Sequence, residues 1–328
     1  MDLLRTFHEN IDTMTQEEFI KINDQLSTII LKSKQKRSYF SLVLKYYMIN
    51  KDFEQVETML IESENPMKRD YFQFIKHLYS IDIDRALHIF SSIIPKYIFL
   101  NNDIKYIIEN SLFRLLSLLN GYYLTYEIEH SDDIEDQLCF YNPISDPIKI
   151  LTYISTKFKR KEECIELDDI LKDVDIVIDG GSISHTDHGD CNYKYFDHII
   201  KMICKKFTKP LLIIHQRHIK SKIVQATIQK YNINIYVTPS GVYDDYYIIY
   251  SIIKNNCYIL SHDKFEDHIF EISKYIGDKN NMIKYYIFEK TIGYSNTKIF
   301  ELPKYSKCIQ VTDSHIFVPT KTSFKKFE

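Results

Sequence analysis

Four aspartates in the second half of the chain are the residues whose type and spacing could do chemistry. Asp179 ends a short apolar run, Asp244 and Asp245 follow a later run, and Asp263 comes shortly after another. Short apolar runs separated by helical stretches are typical of a parallel sheet. Because the carboxyl ends of parallel strands meet at one edge of the sheet, we expect the four carboxylates to lie close together there.

Such a group of carboxylates favours divalent metal chemistry. Mg²⁺ is a hard cation that takes oxygen ligands, usually a few carboxylates together with water and phosphate oxygens. Two ions about 3.5–4 Å apart can activate a water molecule and stabilise the leaving oxygen of an in-line displacement. We therefore expect a pair of Mg²⁺ or Mn²⁺ ions, because like charges held together are costly without a cation.

Each aspartate also has an ordinary structural interpretation. Asp244 could be the N-cap of a helix, and Asp245 an acid in its first turn, where the helix dipole favours negative charge. Asp263 could be a loop acid, and Asp179 could belong to a turn with Gly180. A turn or a cap explains each residue taken alone, whereas all four at the strand ends of one domain favour a metal site.

The elements that must position these acids are predicted from apolar periodicity. Strands are expected at 175–179, 211–214, 235–237 and 257–260, and helices at 195–205, 221–230 and 245–254. The preceding region is expected to have a strand at 122–129 and a helix at 148–159. The fold class is therefore an α/β domain with a parallel sheet, preceded by a small central segment that contains β structure.

Residues 1–119 are predicted to be helical throughout and to contain an internal repeat. Arg37 and Phe40 recur as Arg69 and Phe72, and each copy is followed by a second helix that starts at an aspartate. Two helices per unit, with a period in the low thirties, indicate an α-solenoid of the kind formed by pentatricopeptide repeats. An ordinary helical bundle is the alternative.

Composition bounds the class of protein. The net charge of -3 counts mildly against a nucleic-acid binder, yet residues 201–230 contain eight Lys or Arg and no acid. A basic surface beside the acids is therefore expected, with a solvated face as the alternative. The abundance of Tyr and the absence of Trp are typical of an AT-rich source, such as a viral or protist genome. No secretory, mitochondrial or membrane segment is recognised, so we expect an intracellular protein of the cytoplasm or nucleus.

Four segments resemble a known family when they are taken in order. Residues 177–180, 210–217, 238–250 and 261–268 are similar to the metallonuclease domain of proteinaceous ribonuclease P (PRORP), which has an NYN/PIN-like, Rossmannoid fold. The resemblance implies that Asp179, Asp244, Asp245 and Asp263 are the catalytic residues and metal ligands. It also implies three regions, namely helical PPR-like RNA-binding repeats at 1–119, a connecting domain at 120–174 and 295–328, and the nuclease at 175–294.

The function that the resemblance implies is removal of the 5′ leader of precursor tRNA by an Mg²⁺-dependent endoribonuclease. Precursor tRNA is then the expected partner, and no obligatory protein partner or membrane is expected. His215, Arg217, Lys220 and Lys222 are candidate RNA-binding residues near the end of a strand. The alternatives are a nuclease of the same fold that cuts another RNA, such as mRNA, and a catalytically dead RNA-binding repeat protein.

The chain departs from the family where the family binds a structural zinc with a CxxC pair and a later His and Cys. Here Cys139 stands with Asn142 in place of the second cysteine. Ile316 and Phe317 replace a Trp-His pair, and His315 is displaced. We therefore predict that the chain has no zinc site of the family type.

Overall fold

The structure, a computed structural model, describes residues 2–29, 31–63, 66–129, 132, 134–185, 193–295 and 298–328. Backbone contacts divide the chain into two compact units. The first contains Met1–Ile98 and Tyr106–Leu118, and the second contains Phe99–Lys105 and Leu119–Glu328. The three predicted regions, with a separate connecting domain, stay a prediction.

The first unit is built from helices, as the apolar periodicity predicts. Val56 and Leu60, like Ala86 and Phe90, are buried pairs four residues apart, so each pair covers one face of its helix. After six helices, the segment Tyr106–Leu118 of this unit adds the second half of α7 (Asn101–Glu109) and most of a 3-10 helix (Phe113–Leu119). Those six are α1 (Asp2–Asn10), α2 (Gln16–Ser27), α3 (Ser33–Ile49), α4 (Phe53–Glu62), α5 (Lys68–Tyr79) and α6 (Ile83–Ile93).

The internal repeat corresponds to two helix pairs, α3 with α4 and α5 with α6. The pairs contact each other through α3 and α5, as stacked repeats do. The aspartate that starts each second helix is its N-cap. Asp52 accepts a hydrogen bond from the Gln55 amide, and Asp82 accepts one from the Arg85 amide. The sequence repeat is therefore a repeat of helix boundaries.

The second unit contains the predicted parallel sheet, with one more strand than expected. Its strand order is β3-β2-β1-β4-β5, and every neighbouring pair is parallel. The short fifth strand was not predicted, because two residues carry too little pattern to recognise. The strands are β1 (Ile176–Asp179), β2 (Pro210–His215), β3 (Asn234–Thr238), β4 (Tyr258–Leu260) and β5 (Thr291–Ile292).

Helices cover both faces of this sheet, which explains why its strands are apolar on both sides. Val177 points to one core with the neighbouring Leu211, and Ile178 points to the other with Leu212. The helices of the second unit are α8 (Asp136–Cys139), α9 (Pro147–Ser155), α10 (Glu163–Leu171), α11 (Gly180–Ile183), α12 (Phe196–Lys206), α13 (Lys222–Tyr231), α14 (Asp244–Asn255), α15 (Glu266–Ile276) and α16 (Met282–Lys290). No helix among the described residues is both long and apolar enough to span a membrane.

One sequence prediction is wrong, because residues 122–129 do not form a strand. The segment is irregular, although its backbone bonds to the end of the chain. The Tyr126 amide donates to the Pro319 carbonyl at 2.8 Å, and the Lys321 amide donates to the Ile128 carbonyl at 3.2 Å. Two isolated bonds do not make the regular ladder of a β-sheet. The alternation of apolar and polar side chains along 122–129 therefore predicted a strand that does not form.

The end of the chain forms a small antiparallel sheet of β6 (Gln310–Val311), β7 (Ile316–Pro319) and β8 (Phe324–Phe327). Phe317 and Phe324 are buried on it against Leu138 of α8. By the resemblance described above, Phe317 stands where the family is expected to have a histidine. An apolar cluster therefore joins α8 to this sheet, and the absence of a family-type zinc site stays a prediction.

Replacing Phe317 with alanine should destabilise the second unit by about 3–5 kcal/mol, the usual cost of emptying a buried aromatic site. Phe140→Ala is a matched control, since Phe140 lies beside α8 but is 67% exposed. Denaturant unfolding measures both variants. Metal analysis of the purified wild type should find no stoichiometric zinc, whereas one zinc per chain, absent from Cys139→Ala, would contradict the predicted absence of a family-type zinc site.

Candidate active site

The four aspartates meet at the carboxyl edge of the parallel sheet. Asp179 is the last residue of β1, and Asp263 follows β4, its neighbour. The chain moves from β1 to one side of the sheet and later returns to the other side of β1, so the two strands flank the switch point where parallel sheets place their sites. A cleft of about 680 Å³ there is lined by Asp179, Gly181, Ser182, His185, His215, Arg217, Val242, Tyr243, Asp244, Asp245, His262 and Asp263.

Asp179 is the most buried of the four, with 5% of its surface exposed. Its Oδ1 accepts a hydrogen bond from the Ser182 amide at 2.9 Å, and its Oδ2 accepts one from Ser261 Oγ at 2.7 Å. Burial, together with the charges of Asp244 and Asp263, raises the pKa of this carboxyl to about 6 although both bonds lower it. The carboxylate is thus fixed in place and short of positive charge.

Two glycines allow the turn after Asp179. A Cβ on Gly180 would lie 2.7 Å from the carbonyl oxygen of Ile213 in β2, so only glycine lets α11 start this close to the sheet. A Cβ on Gly181 would lie 3.2 Å from Asp179 Oδ1 and 3.3 Å from Asp244 Oδ2. The second glycine therefore keeps open the space beside these two carboxylates.

Asp244 and Asp245 are the first two residues of α14. The N-cap is Tyr243, which makes no capping bond with its side chain, so the interpretation of Asp244 as an N-cap is wrong. Both acids gain from the positive end of the helix dipole. Burial, and then the charges of Asp244, Asp179 and Asp263, raise the pKa of Asp245 to about 7.

Asp263 is held by a strained turn. Its amide donates to Ser261 Oγ at 2.9 Å, and its Oδ1 accepts from the Phe265 amide at 2.8 Å. Phe265 is buried and has a φ of 53°, the left-handed conformation that a bulky residue rarely adopts. Such strain persists only where surrounding contacts enforce it, and it is common beside functional sites.

The candidate RNA-binding residues divide into two pairs. His215 and Arg217 line the cleft with the acids, whereas Lys220 and Lys222 are exposed and do not line it. The basic residues of 201–230 do not all lie near the cleft. Lys209 precedes β2 and pairs with Asp173 at the opposite edge of the sheet. The cleft thus receives only part of the positive charge that the sequence predicted for it.

Sequence reasoning missed several residues in and beside the cleft. Ser261 holds Asp179 and Asp263, and Tyr243 lies at the rim with 69% of its surface exposed. Nδ1 of His268 lies 3.6 Å from Asp245 Oδ2. A serine two residues before an aspartate at a strand end was the only signal in the sequence for Ser261.

The donor set fits a hard divalent cation. Four carboxylates face one cleft, and the raised pKa values of Asp179 and Asp245 indicate negative charge that a cation would relieve. Among the described residues, no three His, Cys, Asp or Glu side chains are arranged to hold an ion by themselves. Mg²⁺ usually keeps several waters and binds through one or two carboxylates, so the chemistry of the set suits it. The identity and number of the ions stay predictions.

Comparison with known proteins bears on this domain directly. The family model described as "PRORP: Protein-only RNase P" matches residues 155–327, which is more than half of the chain. The chain belongs to the protein-only RNase P family. All four aspartates lie within the residues that match the family.

Individual members of the family match this chain either over a short segment or at low sequence identity. Proteinaceous RNase P 2 of Arabidopsis thaliana is 33% identical over 69 residues, which cover 19% of this chain and 13% of that protein. The crystal structure of nuclear PRORP2 from A. thaliana superposes with a TM-score of 0.59 at 14% identity, covering 97% of this chain and 87% of that one. A second structure of A. thaliana nuclear protein-only RNase P 2 gives 0.57 at 15% identity, with 88% and 74% covered. At these identities the structural likeness shows the fold alone, and it confirms the predicted fold class.

Asp245→Asn should stabilise the metal-free protein near neutral pH, because the amide keeps the shape and removes one charge from the group. The pKa of Asp245 is raised in the folded chain, so its contribution to stability is present at low pH and is lost as the pH rises from 3.8 through about 7. We expect a gain of about 1 kcal/mol, or about 2–4 °C in Tm by calorimetry with chelator present.

Asp267→Asn is the matched control, since Asp267 is an exposed acid in the first turn of α15. Its loss should leave Tm unchanged or slightly lower it. Added Mg²⁺ should then stabilise the wild type more than Asp245→Asn. A fall in Tm for Asp245→Asn that matches or exceeds the control would sink the idea that the acids repel one another.

Proposed function

We propose that this chain is a metal-dependent endoribonuclease that removes the 5′ leader of precursor tRNA. The observation that carries the proposal is the cleft where Asp179, Asp244, Asp245 and Asp263 meet, within the part of the chain that matches the protein-only RNase P family. Oxygen ligands clustered at a strand-end cleft suit phosphodiester hydrolysis assisted by a metal. Family membership supports tRNA as the substrate.

In the proposed mechanism, the cleft would hold two Mg²⁺ or Mn²⁺ ions through the carboxylates of Asp179, Asp244, Asp245 and Asp263. The bound metal supplies charge stabilisation for the phosphate and a water of lowered pKa. Ser182 and Ser261 keep the Asp179 carboxylate in one orientation, because each bonds one of its two oxygens. His215 Nδ1 accepts from the Arg217 amide at 3.1 Å, so the ring carries a proton on Nε2. That N–H can donate to a phosphate oxygen at the rim.

Recognition of the RNA must extend beyond this cleft, because contacts to phosphate position a backbone but do not read its sequence. The first unit carries a candidate surface. A groove of about 770 Å³ there is lined mainly by basic and polar side chains of α1, α3 and α5. The basic residues at the groove are Arg5, His8, Lys32, Lys34, Lys45 and Arg69.

Part of this charge is neutralised within the protein. Arg5 pairs with Glu9, and Lys45 pairs with Asp12. Lys32 and Lys34 have no acidic partner among the residues that the structure describes, which leaves them available for phosphate. We propose that this groove of PPR-like repeats contacts the body of the tRNA through its backbone.

Two other functions remain as alternatives. A nuclease of the same NYN-type fold could cut another RNA, and this interpretation is favoured if a panel of structured and unstructured RNAs shows cleavage of one that is not precursor tRNA. A dead enzyme that only binds RNA would cut none of them. The complete set of four carboxylates at the cleft argues against the dead enzyme.

Asp179→Ala and Asp245→Ala should abolish cleavage of a 5′-extended tRNA in Mg²⁺ while leaving the fold intact. Ser261→Ala should lose less, about 10–100-fold, because it acts on the acids rather than in their place. Mapping the cut by primer extension measures each variant, with Asp267→Ala as an exposed acid that should stay active. Full activity of both aspartate variants would refute the assignment of the site.

Reversing the charge of Lys32 and Lys34 together should raise KM for precursor tRNA and leave cleavage at saturating enzyme nearly unchanged. The slope of log K against log salt should become shallower by about 2, because each lysine that binds a phosphate adds about one to it. Lys21→Glu is the control, since Lys21 is exposed on α2 and does not line the groove. An equal effect of Lys21→Glu would mean that the groove has no special role.

A further inference from the structure

The turn after β2 contains an arginine that is held by a buried histidine. Arg217 is exposed and lines the cleft, whereas His218 is 1% exposed and does not reach it. Arg217 Nε donates a hydrogen bond to His218 Nε2 at 2.9 Å. A charged guanidinium is therefore oriented by a neutral neighbour in the sequence, and the bond fixes one of its five N–H groups.

The protonation of His218 follows from its partners. Because Nε2 accepts from Arg217, the ring proton must be on Nδ1, which lies 2.9 Å from the hydroxyl oxygen of Tyr193. Burial, and then the charge of Arg217 and the nearby His185 and His215, lower the pKa of His218 to about 4. The imidazole is thus neutral near neutral pH, the state in which it can accept from Arg217.

The charge of Arg217 is not neutralised by a carboxylate of the protein. Among the described residues no carboxylate lies within ion-pairing distance of it, although the same cleft contains four aspartates. Within the described part of the chain the guanidinium bonds only His218, through Nε, so its Nη groups remain for a ligand. A planar donor pair at the edge of a metal-binding cleft matches the non-bridging oxygens of a phosphate.

We propose that Arg217 contacts a phosphate of the bound RNA and that His218, held by Tyr193, is the positioning residue that aims it. The proposal deepens the proposed function and rests on it. His218 does not touch the substrate and acts through the arginine alone. Its effect on cleavage should therefore disappear when the arginine is absent.

A double-mutant cycle tests this dependence with the full-length protein, 5′-extended tRNA and Mg²⁺ under single-turnover conditions. Arg217→Ala should lower the maximal rate by about 100-fold, as loss of one preorganised donor does. His218→Leu should lower it by about 10-fold, as loss of a supporting residue does. The double variant should be no slower than Arg217→Ala. Independent effects that multiply in the double variant would overturn the proposal.

Further variants separate positioning from a merely structural role. His218→Gln places an amide acceptor near the position of Nε2 and should recover most of the rate, while Tyr193→Phe should lose a few-fold through the loosened ring. If His218→Leu does not fold, the cycle is run with Tyr193→Phe, which removes one hydroxyl. A Tyr193→Phe effect that persists unchanged in Arg217→Ala would also overturn the proposal.

A control and a second readout complete the experiment. Lys209→Ala removes a cation that precedes β2, at the edge of the sheet away from the cleft, and should leave the rate unchanged. Nitrogen-15 NMR should show an Arg217 Nε–H protected from exchange in the wild type and unprotected in His218→Leu. A wild type that cuts no precursor tRNA would sink the proposed function, whereas cutting with an unprotected Arg217 Nε–H would sink the positioning role alone.

Discussion

Repulsion among carboxylates is the constraint on which the rest of the second unit depends. Buried Asp179 and half-buried Asp245 have raised pKa values because they are removed from water beside other acids. A fold keeps such a group together only if the backbone is rigid and hydrogen bonds hold each side chain. The parallel sheet supplies the rigidity, and the turns after β1 and β4 supply the bonds from Ser182 and Ser261.

Much of this architecture could be predicted from the sequence, because buried parallel strands leave short apolar runs with few interpretations. The runs at 211–214 and 235–237 are β2 and β3 within one residue at each end. The acids were found because they end such runs. Strand pairing across long separations could not be inferred, and this is why the alternating residues 122–129 were wrongly predicted as a strand.

The parts of the site that could not be predicted are those made by contacts between distant segments. Ser261 has no feature that marks it before it meets Asp179, which lies in a different strand. Tyr193 and His218 come together across 25 residues, and neither belongs to a recognisable motif. Positions that support a site are specified by packing in three dimensions, so a sequence shows the acids more readily than it shows what holds them.

The bonds between the start and the end of the second unit have a consequence for how the protein is made. The Gly121 amide donates to the Ile309 carbonyl at 2.7 Å, and the Ile309 amide donates to the Tyr122 carbonyl at 2.8 Å. Residues that leave the ribosome early must therefore wait for partners that lie far along the chain. Contacts between residues so far apart in the sequence form slowly, and apolar surface stays exposed until they form. The nascent chain can thus form its N-terminal helices well before Gly121 and Tyr122 meet their partner Ile309.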